Sequence, residues 1–388
     1  MTATDTEPVE EAASARHLVH RGPSRRWMTV FCSLLAVVII AAAGLTYVGI
    51  ETVRSSRAGQ VVSTVTDPDA PGFEAFLEPT PTLALLHVEG GELLSIAVMA
   101  LHSGDVGGSI LLVSPRTFPE IEDLLNYAAL MRLPGEEANV MGALQRSLGF
   151  GIAEVAVVDG ERWTELVAPV APFEVDNPTS AGPFPAGPIT LAADQVSAYL
   201  AAIGEGEVSQ PAVLRERAFF RAWLDAVAAS GDPAVVPGEL ELGLGRFVRG
   251  VANGPHVIEA APVSVNESEG VQRTYLEQSA MAALVTDLVP FPVAGEPGGR
   301  VRVRLLDGTG DPKHVQRAAP LVVPGDAEIV VVGNADAFDY EVTEIRYHNP
   351  LAKVAARTLQ DTLGTGELVD DPRQTDTFDV TIVLGPDL

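Results

Sequence analysis

The feature that most constrains this chain is an uncharged run near its N-terminus. Residues 28–50 read MTVFCSLLAVVIIAAAGLTYVGI, 23 positions without Asp, Glu, Lys, Arg or His. As a helix rising about 1.5 Å per residue, the run reaches roughly 34 Å, enough to cross the hydrocarbon core of a bilayer. It is apolar all round with basic residues packed against one end, which does not suit a helix buried in a soluble core. It also exceeds the apolar region of a cleaved leader, about 7–15 residues. An uncleaved membrane helix over 27–50 is therefore expected, with Trp27 and Tyr47 at headgroup depth. Arg16, Arg21, Arg25 and Arg26 precede it and only Arg54 and Arg57 follow closely. That asymmetry places the tail, 1–26, in the cytoplasm and the remainder outside the cell.

The tail balances Asp5, Glu7, Glu10 and Glu11 against its four arginines, so the whole net charge of −27 lies beyond it. A body this acidic repels nucleic acid, and no nucleic-acid partner is expected. The single cysteine, Cys32, falls inside the apolar run, so the body holds no disulfide. The histidines of the body are scattered and have no thiolate near them, and no metal site is read from their spacing.

After the membrane helix, DPDAPGFEAFLEPTPT over 67–82 is rich in proline and acids and has no period. Residues 51–82 are accordingly expected to form a stalk. A second breaker, PFPVAGEPGG over 290–299, reads as a linker between a domain at 83–289 and one at 300–388. In the first, apolar runs at 83–88, 93–101 and 109–113 suit buried strands, as do 154–158 and 173–175. Helices are predicted at 121–132, 136–148, 161–167, 191–203 and 211–229. Such alternation predicts the α/β class, a mixed sheet covered by helices on both faces. In the last of these helices Phe220, Trp223, Leu224 and Val227 make one inward stripe, which leaves Arg215 and Arg221 on a solvated side and Arg217 at its flank.

The C-terminal segment predicts a small α+β module. RVRVRLL over 300–306 alternates as a half-exposed strand does, and the turn Asp307-Gly308-Thr309-Gly310 follows. A helix over 313–319 should stop at Pro320, and strands are expected at 328–332, 342–347 and 378–384. Asn349-Pro350 has the chemistry of a helix start and Gly364 that of its end, with Leu351, Val354, Ala355, Thr358 and Leu359 as the inward face.

No catalytic residue emerges from motifs. Gly107-Gly108 and Gly204-Glu205-Gly206 lack the lysine and context of a phosphate loop. Ser95, Ser103 and Ser114 with His87 or His102 lack a Gly-x-Ser-x-Gly elbow.

Longer segments carry a resemblance. RVRVRLLDGTG, NADAFDYEVTEIRYHN, LAKVAARTLQDTLG and DVTIVLGPD resemble, in order and spacing, the LytR C-terminal domain; Asp307 stands where that family usually has Asn. Asp307, Gly308 and Gly310 are the ligand candidates of that turn. The first domain resembles a diverged LytR-CpsA-Psr domain, through SIAVMAL with SILLVSPRTF, LNYAAL with SLGFGIAEVAVVDGERWTELV, and FPAGPITLAADQVSAYL with RERAFFRAWLDAV. The resemblance implies a bacterial envelope protein whose relatives transfer a glycopolymer from a polyprenyl-pyrophosphate lipid to peptidoglycan, with arginines on the pyrophosphate and acids on a divalent cation such as Mg.

Much of that equipment is missing. The family's Arg-Ser-Asp-like triplet reads Glu92, Leu93, Leu94, and its Tyr-x-Arg-x-Arg reads Tyr199 followed by LAAIGEGE. The Pro-Arg-Asp turn is half kept as Pro115, Arg116, Thr117, and Arg215 or Arg217 stands for the arginine of the last helix. Losing one electrostatic donor from such a site costs about 2.7–4 kcal/mol of barrier. The expectation is a membrane-anchored pseudoenzyme without cofactor that binds or organises glycopolymer, peptidoglycan, polyprenyl-phosphate lipid or an active paralogue. Its phosphate-binding candidates are Arg116, Arg215 and Arg217. The alternative is a working transferase using Arg116 and Arg215 with Asp105 or Glu207 and a divalent cation. Direct control of transcription is disfavoured by an acidic body outside the membrane.

Overall fold

Three strands in the middle of the first domain are apolar on both faces, and the architecture follows from that. The computed structural model describes residues 65–207, 209–268, 271–311, 313–372 and 377–388; the expected tail and membrane helix lie outside them. Among the described residues no helix is long and apolar enough to cross a membrane. The described residues form one compact unit.

In chain order come β1 (Glu74–Phe76), β2 (Thr82–Glu89), β3 (Glu92–Leu101), β4 (Gly108–Val113), α1 (Tyr127–Met131), α2 (Glu136–Leu148), β5 (Glu154–Val158) and α3 (Gly160–Val167). Next are β6 (Phe173–Asn177), β7 (Gly187–Leu191), α4 (Val196–Ala201), α5 (Ser209–Ser230), α6 (Gly243–Ala252), β8 (His256–Ala260), β9 (Val263–Ser268), β10 (Val271–Leu276) and α7 (Gln278–Leu288). The sheet order is β5-β2-β3-β4-β8, with β2, β3 and β4 antiparallel in sequence and β5 and β8 joined in parallel at the edges.

Leu83, Leu85, Ala97, Met99, Ile110 and Leu112 face α3, α4, α5 and α6, while Ala84, Leu86, Ile96, Val98, Leu111 and Val113 face α1, α2 and α7. Because both faces are covered, β2, β3 and β4 read as apolar runs rather than alternating strands. The expected mixed sheet with helices on both faces is present. The first core is aromatic: Trp163 meets Phe219, Phe220 and Trp223 at centroid distances of 5.6, 6.3 and 5.6 Å.

The helix expected at 121–132 is reduced to α1, which begins at the Asn126 cap whose side chain accepts the Ala129 N–H. That expected at 191–203 is split, its first residue closing β7 and its last turn forming α4. The sequence pattern also missed α6, β8, the β9–β10 hairpin and α7.

The C-terminal module comprises β11 (Val301–Asp307), α8 (Lys313–Val322), β12 (Ala327–Asn334), β13 (Glu344–Tyr347), α9 (Ala352–Leu363), β14 (Glu367–Asp370) and β15 (Val380–Leu384). Its sheet order is β1-β12-β11-β15-β13-β14, and α8 and α9 cover one face. The presence of β1 corrects the stalk. Glu74–Phe76 pairs antiparallel with β12, and the Asn334 side chain donates to the carbonyls of Pro68 and Ala70 at 2.8 Å each.

The 290–299 segment is likewise pinned rather than loose. Thr80 and Phe291 exchange two hydrogen bonds of 3.0 Å, and the Ala294 N–H donates to Glu328 at 3.0 Å. Arg300, nearly buried, donates to the carbonyls of Gly149, Val323 and Ala327 at 2.7, 3.3 and 3.0 Å.

Two further expectations fail in the module. Pro320 does not stop α8, which runs on to Val322 because Val322 and Val323 bury in the core. Pro320 removes the helical donor to the carbonyl of Gln316, an exposed residue. Asn349 caps α9 as expected, its side chain accepting the Ala352 N–H at 2.9 Å. The helix then turns a different face inward: Ala352, Ala356, Leu359 and Leu363 are buried, while Leu351 and Val354 are exposed.

Candidate functional site

A cavity of about 170 Å³ opens at the end of the sheet where β3 begins and β4 ends. Helices from both layers border it, with Ala128 and Arg132 at one side and the end of α4 and the start of α5 at the other. The structure gathers here the positions at which the sequence departs from the transferase pattern. Glu92, Leu93 and Leu94 line it with Leu200, Ala201, Ala202 and Ile203, and Ser114, Pro115 and Arg116 complete the rim. Its wall is thus mainly aliphatic where phosphate chemistry needs cations.

Of the three arginine candidates, Arg116 is brought to the cavity with an exposed side chain and has no carboxylate within 4 Å among the described residues. Arg132, which sequence reasoning passed over, lies there too and pairs with Glu92 at 2.8 Å in an exposed position.

Arg215 is a correction to the solvated side expected for it. It is 1% exposed, because the turn at 204–207 folds back over this side of α5. Its guanidinium grips Glu207 with two bonds of 2.6 and 2.8 Å and donates to Thr179 Oγ1 at 2.8 Å and the Ala202 carbonyl at 2.6 Å. Burial works against the Glu207 carboxylate, but the Arg215 hydrogen bonds, the Gly204 N–H and the charges of Arg215 and Arg116 outweigh it, and its pKa falls below the ordinary value. Arg215 and Glu207 therefore act on each other. Arg217 is placed elsewhere, paired at 3.2 Å with Glu259 of β8.

The neighbouring Glu216 carries the site's least expected chemistry. It lies one helical turn beyond Ala212 of the cavity wall and is 5% exposed. Burial pushes its carboxyl up to about 8, against a hydrogen bond with Ser95, and Oε1 has no partner. At neutral pH it is mainly the neutral acid. A signal for it exists in the sequence: Glu216 precedes Phe220 by four positions and so occupies the inward stripe.

The acids on the cavity wall are Glu92 and Glu207, and each already serves an arginine. This donor set does not fit a divalent cation, which needs several free oxygens converging on one point. Among the described residues no cluster of three His, Cys, Asp or Glu could hold a metal. Asp105 is remote from the cavity, at the other end of the sheet, where Arg246 binds it with bonds of 2.8 and 2.9 Å. His87 is fully buried and hydrogen-bonds Ser197 at 3.0 Å rather than its cross-strand neighbour Ser95, and burial takes its pKa down to about 4.

In the C-terminal turn, Asp307 is 1% exposed and its Oδ1 accepts from the Thr309 N–H and hydroxyl at 2.9 and 2.8 Å. Gly308 packs where a Cβ would strike the Leu384 carbonyl and Tyr340, and Gly310 takes φ +81°. These three residues close the turn from β11 to α8.

Comparison with solved structures finds TagT of B. subtilis, with TM-score 0.42 and 12% identity over 58% of this chain and 92% of that one. The LytR-Csp2A-Psr enzyme from Actinomyces oris gives TM-score 0.43 and 16% identity over 55% and 94%. TagT with bound octaprenyl pyrophosphate lipid gives TM-score 0.40 and 12% identity over 58% and 92%. Comparison with curated protein sequences finds no match. Residues 300–388, the C-terminal module, match the profile of the family described as LytR cell envelope-related transcriptional attenuator.

Proposed function

We propose that this chain is a non-catalytic protein of the cell envelope, a degenerate relative of the LytR-CpsA-Psr transferases that binds or organises wall glycopolymer or its lipid phosphate carrier. In this reading residues 27–50 anchor it in the membrane and the acidic body stands outside. The observation that carries the reading is the state of Arg215. Of the three arginines offered as phosphate ligands, Arg215 is buried and spent on Glu207, Thr179 and Ala202. The cavity wall is mainly aliphatic and offers only Arg116, and Arg132 already paired with Glu92, to neutralise a leaving pyrophosphate. A cavity of about 170 Å³ is also smaller than ligand pockets of roughly 300–1,000 Å³, so it suits a headgroup and not a folded prenyl chain.

Arg116 is what keeps a second reading alive. Its charge reaches Glu207, and it stands free at the rim, so a transferase would centre on it. Titrating the full chain in detergent with octaprenyl monophosphate tests the binding claim. Saturable binding that weakens about tenfold or more in Arg116→Ala is expected; wild-type protein that binds no lipid phosphate would overturn the ligand assignment.

A further inference from the structure

The helical face of the C-terminal module is at odds with the charge of the molecule. The chain has two lysines, Lys313 and Lys353, in a protein of net charge −27. One lies on α8 and the other on α9, which share one core on the same face of the sheet. Arg317 and Arg357 follow them by one helical turn, and all four side chains are exposed. The helix α8 carries no acid and α9 only Asp361. None of the four cations has a carboxylate within ion-pair distance among the described residues, and Lys353 has only the Tyr347 ring, 5.4 Å away.

Exposed aliphatic side chains lie on or beside the same two helices. Leu351 is 89% exposed, Val354 71% and Leu321 40%. The inward faces of the helices are already satisfied by Ala318, Val322, Ala356 and Leu359, so the outer leucines and valine are surplus to the core.

We propose that the outer face of α8 and α9 docks on an anionic lipid surface. Charge complementarity restricts the partner to an anion, since the two helices set a single acid, Asp361, against four cations. The exposed aliphatics choose among anions: they gain by leaving water at the headgroup boundary, whereas a hydrophilic polyanion offers them no apolar contact. The acidic remainder of the body is repelled by the same surface, which fixes the orientation with these two helices facing the bilayer. The inference is independent of the cavity and its ligand.

The test uses the full chain carrying Cys32→Ser and Thr358→Cys, with an environment-sensitive fluorophore at position 358, beside the aliphatic patch. It is reconstituted in vesicles of phosphatidylcholine alone or mixed equally with phosphatidylglycerol. A blue shift confined to the phosphatidylglycerol vesicles, reversed by added NaCl, is expected. The shift is lost in Lys313→Gln/Arg317→Gln/Lys353→Gln/Arg357→Gln, whose docking constant falls by roughly 10²-fold or more. It is lost as well in Leu351→Ser/Val354→Ser, which keeps every charge, and thermal unfolding checks that both variants fold. No shift, an equal shift in both vesicles, or a shift produced by soluble polyphosphate without vesicles would each overturn the proposal. Should the fourfold variant misfold, the salt titration of the parent decides.

Discussion

Two buried groups give the protein opposed responses to pH. Glu216 sits near 8 when folded against an ordinary 4.5, so the folded chain holds a proton that the unfolded chain releases. Stability from this group is fully present below pH 4.5 and declines by a few kcal/mol as pH rises to about 8. His87 works the other way: with its folded pKa near 4 against 6.5, stability is present above 6.5 and falls as pH drops towards 4. Between pH 6.5 and 8 Glu216 acts alone of the two, and Glu216→Gln should flatten the decline in urea-unfolding free energy there; an unchanged slope would show that the carboxyl is not buried as described. Arg215→Met should cost about 3–5 kcal/mol by leaving the Glu207 carboxylate buried without its partner, and adding Glu207→Gln should restore much of it in the same unfolding measurement. Sequence held the clue to Glu216, a carboxyl in line with Phe220. It held none for Arg215, whose burial depends on a turn closing over it from outside the helix.

The elements that the sequence predicted well are those whose pattern is settled locally. Glu136–Leu148 ends at Gly149, whose positive φ of 74° makes the cap, and Glu154–Val158 is bounded by Asp159, the cap of α3. The inward face of α9 was misread because leucine and valine outweigh alanine in any hydrophobic count, whereas close packing on the sheet selects Ala352 and Ala356. The strand β1 was invisible for a different reason. Three residues have no readable period, and their partner β12 lies far along the chain. Gly333 permits the pairing, since a Cβ there would collide with the Phe73 carbonyl. Gly333→Ala should therefore release β1 at a cost of about 1–3 kcal/mol, seen as faster hydrogen exchange at Glu74–Phe76 while the remainder of the sheet stays protected.

At the scale of the molecule, composition and breakers divide the chain into two modules, but the bonding at their junction is not legible in proline and glycine. It arises from the Thr80–Phe291 pair and from Arg300, which ties Gly149 of one module to Val323 and Ala327 of the other. Arg300→Ala should loosen this junction, and limited proteolysis would then cut within 290–299 several-fold faster than in the parent. At the opposite end of β3 the cavity is lined mainly by aliphatic side chains, and the nearby Arg215 is bound internally, which is the ground for proposing that the protein transfers no phosphate-linked glycan. The most direct measurement mixes the reconstituted full chain with a radiolabelled glycan on octaprenyl pyrophosphate, peptidoglycan and Mg²⁺. No labelled peptidoglycan above the protein-free background is predicted; label transferred by the parent and abolished in Arg116→Ala would show a working transferase instead.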